Sequence, residues 1–351
     1  MTSFKYLYGK TDKIMSLQER VAAFSELGRR IKTLDYVDLS ELAARVENNN
    51  NWFTPEQTRF ALESISSFLD EGGLWAWLRN YSIPDDSIPK AVGLLLAGNV
   101  PAVGFHDMMC VLLSGHAAHI KLSSTDKVLI PWMAEELVKI NPDFAGKIRF
   151  EDMLRGKDAY IATGSDNSSR YFDYYFGRFP SIIRKNRTSV GILNGSEQSQ
   201  DWEALYRDIF QYFGLGCRNV SKLYVRERAQ LQEFLGAMGL RSDLLDHHKY
   251  RNNYEYNKAI YLVNGEPHLD NGFLLLKEAE ALVSPIAVLH FETYSDPEDL
   301  GKLIGRHTEK IQCMVSKDGW YPGSIGFGQA QRPKLEEYAD QKDTMAFLLS
   351  L

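Results

Sequence analysis

Apolar residues recur at helical spacing over residues 16 to about 80. Leu17, Val21, Phe24, Leu27 and Ile31 form one stripe, and Phe60, Leu62, Ile65 and Phe68 form a second. The spacing predicts a helical N-terminal segment. The polar stretch ENNNNWFTPEQ interrupts it, and Thr54 before Pro55 and Glu56 reads as a capping hydroxyl followed by proline in a first helical turn. The stretch is therefore a connection within one domain. Beyond Pro89 the rhythm changes: a short apolar run (AVGLLLAG), a helix across 106–114, then AHIKL. Further strands are expected at 147–150, 159–162, 189–193, 221–225, 259–263 and 286–290, and a helix at 202–213. Such alternation predicts a parallel α/β sheet. No internal repeat or low-complexity tract interrupts it.

The chain has 351 residues, 44% of them hydrophobic and 25% charged, enough for two cores and so for two domains. A net charge of -6 gives no footprint for nucleic acid, which requires clustered Lys and Arg. The start, MTSFKYLYGKTDKI, lacks a secretory h-region, and no apolar run is long enough to span a bilayer, so a cytoplasmic protein without a membrane span is expected. Cys110, Cys217 and Cys313 have neither CxxC nor Cys/His metal spacing, so neither a disulfide framework nor a metal site is expected.

Cys217, in GLGCRNV, follows the helix at 202–213 and precedes the strand-like VSKLYV, which puts it on a turn. Gly214 and Gly216 permit unusual backbone angles, so a substrate carbonyl could reach both sulfur and backbone N–H groups. A thiol near pKa 8.5 needs dipoles or positive charge to ionise at neutral pH, and Arg218 is the adjacent cation. The competing reading of Cys217 is a small buried hydrophobe. Cys110 and Cys313, in apolar surroundings without glycines, are assigned that role. His247 and His248 read as a polar surface loop, and His106 beside Asp107 as structural.

Long segments in order carry a resemblance: LLLAGNVPAVGFHDMMCVLLSGHAAHIKLSS, IATGSDNSSRYFDYYFG, IIRKNRTSVGIL, YFGLGCRNVSKLYV, SPIAVLHFE and YADQKDTMAFL. The chain resembles the bacterial fatty acyl-CoA reductase family (LuxC-like) of the aldehyde dehydrogenase superfamily. The resemblance implies two Rossmann-like α/β domains: a cofactor domain over 1–188 with its helical N-terminal segment, and a catalytic domain over 189–351. It also implies an active site in the cleft between them and a C-terminal tail that packs back on the cofactor domain or a partner subunit. It gives Asn99, in GNVP, the role of side-chain oxyanion donor beside the Cys217 N–H. Lys121 and Ser123 would face the adenosine ribose, Thr163, Gly164 and Ser165 the cofactor's pyrophosphate or nicotinamide, and Glu280 the nicotinamide ribose. NADP (as NADPH) is expected in preference to NAD. The GxGxxG fingerprint is absent, which the resemblance tolerates because this superfamily binds its cofactor differently.

Aldehyde dehydrogenases carry a water-activating glutamate shortly before the second domain, whereas IIRKNRTS contains no carboxylate. That departure favours reduction over hydrolysis of the acyl-enzyme. Arg184, Lys185 and Arg187 in the same stretch are either phosphate contacts or a solvated basic edge. The implied activity is NADPH-dependent reduction of an acyl-CoA to an aldehyde through a Cys217 thioester. The implied partners are an acyl thioester substrate, a second copy of the chain and an acyl-transfer protein. Two alternatives stay open: a noncatalytic acyl-CoA-binding relative, and an aldehyde dehydrogenase working oxidatively.

Overall fold

The computed structural model describes residues 14–85, 88–164, 166–239 and 243–351, with only the backbone at 166–169. The chain divides into two compact units, residues 1–186 with 334–351, and residues 187–333.

The first unit opens with four helices, α1 (Leu17–Lys32), α2 (Tyr36–Asn49), α3 (Pro55–Phe68) and α4 (Glu71–Leu78). Ser16 and Glu19 cap α1 reciprocally, each side chain accepting the other's backbone N–H. Thr54 caps α3 with Pro55 at its first position, as the sequence predicts. Val21, Phe24 and Leu27 of α1 are fully buried against Leu62 and Leu69. Gly28 permits that approach, because a Cβ there would lie 2.6 Å from the Leu69 Cβ.

Next come β1 (Ala91–Leu95), α5 (Phe105–Leu113), β2 (Ala117–Lys121), α6 (Leu129–Ile140), β3 (Ile148–Phe150), β4 (Ala159–Thr163), α7 (Asp166–Phe176) and β5 (Ser181–Arg184). The sheet is parallel with order β3-β2-β1-β4-β5. Strand order reverses between β1 and β4, the kind of switch point where open α/β sheets bind ligands at the carboxyl ends of their strands. Val92, Leu94, Ala118 and Ile120 face the helical core. Residues 334–351 return to this unit. Met345 and Leu348 of the C-terminal helix Thr344–Leu349 enter its core, and the Leu348 carbonyl meets His116 Nε2 at 2.9 Å.

The second unit contains β6 (Thr188–Leu193), α8 (Ser199–Phe210), β7 (Val220–Val225), α9 (Ala229–Met238), α10 (Asp243–Asp246), α11 (His248–Asn264), β8 (Leu269–Asp270), β9 (Leu275–Glu278), β10 (Val288–Thr293), α12 (Pro297–Gly305), β11 (Ile311–Ser316) and β12 (Ile325–Gly326). Its sheet has the order β12-β11-β6-β7-β10-β9-β8, parallel except for β8 on β9. Every residue of β6 and β7 is buried.

The strand expected at 259–263 is instead the last turn and a half of α11. The run AIYLV misled because it is apolar, yet Val263 is 86% exposed, and the helix buries Tyr250, Tyr254, Asn257 and Tyr261 at helical spacing. His247 and His248 form no loop either: His247 caps α11 by accepting the Tyr250 N–H.

Candidate active site

In the first unit, the carboxyl ends of β1, β2 and β4 surround a cavity of about 710 Å³. Lys121 and Ser123 enter it from the end of β2, Thr163 and Gly164 from the end of β4, and Glu151 and Asp152 from beyond β3. Four of the residues expected to face a cofactor are thus brought together, while Ser165 lies outside the described residues. The loops after β1 and β2 are laced by hydroxyls: Thr125 Oγ1 donates to the Gly98 carbonyl at 2.6 Å and lies 2.8 Å from Ser123 Oγ. A Cβ on Gly98 would lie 2.5 Å from Ser123 Oγ, so only glycine fits this crossing. Lys157 Nζ donates to Glu151 at 2.8 Å, and His119 Nδ1 lies 2.5 Å from the same oxygen. Burial raises the pKa of Glu151, but these two partners outweigh it, and the carboxyl is held below its ordinary range.

Asn99 is exposed in the loop after β1. Ala102 in that loop is left-handed at φ 55°, and its N–H donates to the Asp126 carboxylate at 2.8 Å. Asp126 is buried, and burial pushes it up to about 6 against the pull of that N–H.

In the second unit, Cys217 is half-buried on the turn between α8 and β7. Phe213 (φ 53°), Gly214 (φ 84°) and Gly216 (φ 95°) are all left-handed, so two of the three demanding positions are glycine. The Asn219 N–H closes the turn on the Gly216 carbonyl at 3.3 Å. Arg218 Nη1 donates to the Ala330 carbonyl at 3.1 Å. Asp208 accepts the N–H groups of Gly328 at 2.6 Å and Ala330 at 2.9 Å, and burial lifts it to about 7. The exposed Glu280 presents its carbonyl to the fully buried Lys222, whose Nζ also donates to the Ala279 carbonyl and pairs with Glu292.

The remaining candidates are structural. Burial raises the Cys110 thiol well above its ordinary pKa, and His106 Nε2 meets the Leu335 carbonyl at 3.0 Å. Arg184 is no phosphate contact: it is buried in a bidentate pair with Asp107, at 2.5 and 2.8 Å, and donates to Thr344 at 2.9 Å. Arg187 donates to the Ile311 carbonyl. Asp126, Asp208 and the Glu151 cluster escaped sequence reasoning. Asp208 left one trace, a carboxylate beside Trp202, Leu205 and Ile209 on the apolar stripe of α8. Among the described residues no cluster of three or more His, Cys, Asp or Glu could hold a metal, and no helix is long and apolar enough to cross a membrane.

Residues 11–240 match the family model "Acyl-CoA reductase (LuxC)", well over half of the chain. The chain belongs to that family of oxidoreductases. No curated protein sequence matches it significantly. The fold is that of a two-domain aldehyde dehydrogenase. An NAD-dependent aldehyde dehydrogenase from Sinorhizobium meliloti is similar at TM-score 0.66 and 12% identity, over 92% of this chain and 72% of that one. Aldehyde dehydrogenase 21 from Physcomitrella patens, in complex with the reaction product succinate, is similar at TM-score 0.64 and 15% identity, over 96% and 84%. An NADP dependent enzyme from E. coli is similar at TM-score 0.62 and 14% identity, over 86% and 73%.

The expected preference for NADPH is corrected by those similar structures whose named cofactor is NAD; the E. coli enzyme is named for NADP instead. Beside the NAD-dependent Sinorhizobium enzyme, aldehyde dehydrogenases from Bacillus cereus, Mycobacterium tuberculosis and Pseudomonas syringae match as NAD+ complexes. The cavity offers no surplus of positive charge for an added 2′-phosphate, since its lining sets Glu151 and Asp152 against Lys121 and Lys127.

Proposed function

We propose that the chain reduces an acyl-CoA to its aldehyde, with Cys217 as the covalent nucleophile and NADH as the reductant. The observation that carries this is Cys217 itself, on a glycine-flanked, left-handed turn in a member of the acyl-CoA reductase family. The cavity of the first unit fits a dinucleotide in size and in its mixture of backbone, hydroxyl and charged groups. Lys121, Ser123, Thr163 and Gly164 would hold that cofactor, which supplies a hydride to the acyl carbon when bound.

The Cys217 thiolate attacks the thioester carbonyl, the C–S bond to CoA breaks, and CoA leaves as its thiolate. The backbone N–H of Cys217 donates to the developing oxyanion, and Asn99 is proposed, on the family resemblance, as a second donor. Residues 181–187 offer no carboxylate to activate water, and Arg184 is committed to Asp107 and Thr344, so the acyl-enzyme persists. Once the acyl carbon is at the aldehyde level, the carbon–sulfur bond breaks, releasing aldehyde and the Cys217 thiolate.

Octanoyl-CoA and NADH, followed by cofactor absorbance and aldehyde trapping, test the reading: turnover is expected with NADH and is weaker with NADPH. Absence of aldehyde with any chain length in an acyl-CoA panel overturns it. A second reading, oxidation of an aldehyde to an acyl thioester over the same residues, is favoured by the likeness to NAD+ complexes. NAD+, CoA and octanal distinguish the two by relative rate.

A further inference from the structure

Beneath the Cys217 turn, the buried Ser189 of β6 and the half-buried Cys313 of β11 form a polar contact across neighbouring strands. Ser189 Oγ lies 3.1 Å from the Cys217 carbonyl, 3.2 Å from the Cys313 N–H and 3.0 Å from Cys313 Sγ. One arrangement of protons satisfies all three contacts at once. A carbonyl can only accept, so the single Ser189 proton points at Cys217. A backbone N–H can only donate, so Ser189 Oγ receives the Cys313 amide proton. With its own proton committed, Ser189 can meet the Cys313 sulfur only as an acceptor, which makes the thiol the donor. Burial, the largest influence on Cys313, pushes that thiol up to about 11 despite Arg218 nearby, so it keeps its proton at neutral pH.

We propose that Ser189 is a positioning residue for the nucleophile, and that the Cys313 thiol, through Ser189, holds the Cys217 carbonyl in place. The proposal rests on Cys217 being the nucleophile. Ser189 fixes the peptide leaving Cys217, while the Gly216 carbonyl, bonded to the Asn219 N–H, fixes the peptide entering it. The sulfur and its N–H are thereby held in one orientation, and a small misplacement of a reacting group is enough to slow it greatly. Cys313, read from sequence as a small buried hydrophobe, thus acquires a polar task.

The test is single-turnover acylation of the full chain by octanoyl-CoA without cofactor, followed by intact mass and by peptide mapping of the adduct. In S189A the saturating rate is expected to fall at least tenfold, with the half-saturating octanoyl-CoA concentration within twofold of wild type. C313A, which removes the thiol donor, is expected to slow acylation about threefold, and C313S, which keeps a donor, to stay within 1.5-fold of wild type. Wild-type rates in S189A or C313A overturn the positioning role while leaving the nucleophile standing. Equal slowing in C313S and C313A also overturns it, since packing alone would then explain the loss. If wild type gains no adduct on Cys217, the nucleophile assignment falls and the positioning role falls with it. If S189A does not fold, the pair of Cys313 variants decides.

Discussion

In the first unit Asp126 accepts one N–H, from Ala102 in the loop that carries Asn99. In the second, Asp208 accepts two, from Gly328 and Ala330, and the same Ala330 offers its carbonyl to Arg218 beside Cys217. Both carboxylates are buried and both are raised, to about 6 and about 7. Burial outweighs the N–H groups in each case, and the deeper of the two also holds the longer chain of contacts. In each unit a buried carboxyl group holds loop N–H groups in place, although burial opposes its ionisation.

The largest expected effect separates the units chemically. Cys217→Ala should lower thioester reduction by at least about a thousandfold, the order lost when a covalent nucleophile is deleted, with NADH affinity unchanged by fluorescence titration. Loss of NADH binding in that variant would break the division of labour between the two regions.

The carboxylates themselves come next. A raised folded pKa gives stability that is complete below the unfolded value of 3.8 and declines as pH rises toward the folded value. For Asp208 the decline continues to about 7 and amounts to something on the order of 4 kcal/mol; for Asp126 it ends near 6, on the order of 3 kcal/mol. Denaturant unfolding of wild type, D208N and D126N from pH 4 to 8 should therefore show that D208N flattens the decline between pH 6 and 7 more than D126N does. Identical profiles for the two variants would erase the distinction drawn between them.

Two smaller effects are confined to the first unit. Leu348→Ala, in the returning C-terminal helix, should cost about 3 kcal/mol of its stability without altering the acylation rate of Cys217 in the folded fraction. Gly98→Ala should weaken NADH about tenfold, because its Cβ must displace Ser123 and Thr125 at the cavity wall, and should lower stability by about 1–3 kcal/mol in denaturant unfolding.

Much of the fold was legible because its signals are local. Leu17 to Ile31 announce α1 by spacing, Thr54-Pro55 announces α3, and the buried strands at 189–193 and 221–225 read as apolar runs. The strands β5, β9 and β11 were missed because SIIR, LLKE and IQCMVS mix polar residues into short runs. AIYLV was misassigned because burial in α11 follows the tyrosines before it and not its own aliphatic residues. Of the proposed site, Cys217 is singled out by its glycine-flanked turn, and Asn99, Lys121, Ser123, Thr163 and Gly164 by the family resemblance. Asp126, Asp208 and Ser189 could not, since their roles are bonds to backbone atoms 24, 120 and 28 residues away, and no local pattern encodes such a partner.

The first unit is interrupted, and the second is not: residues 334–351 are needed for the core that residues 14–85 begin. Local unfolding of the helix Thr344–Leu349 would therefore strip Met345 and Leu348 from the core of the first unit while the segment 187–333 stays continuous, so the two units need not open together.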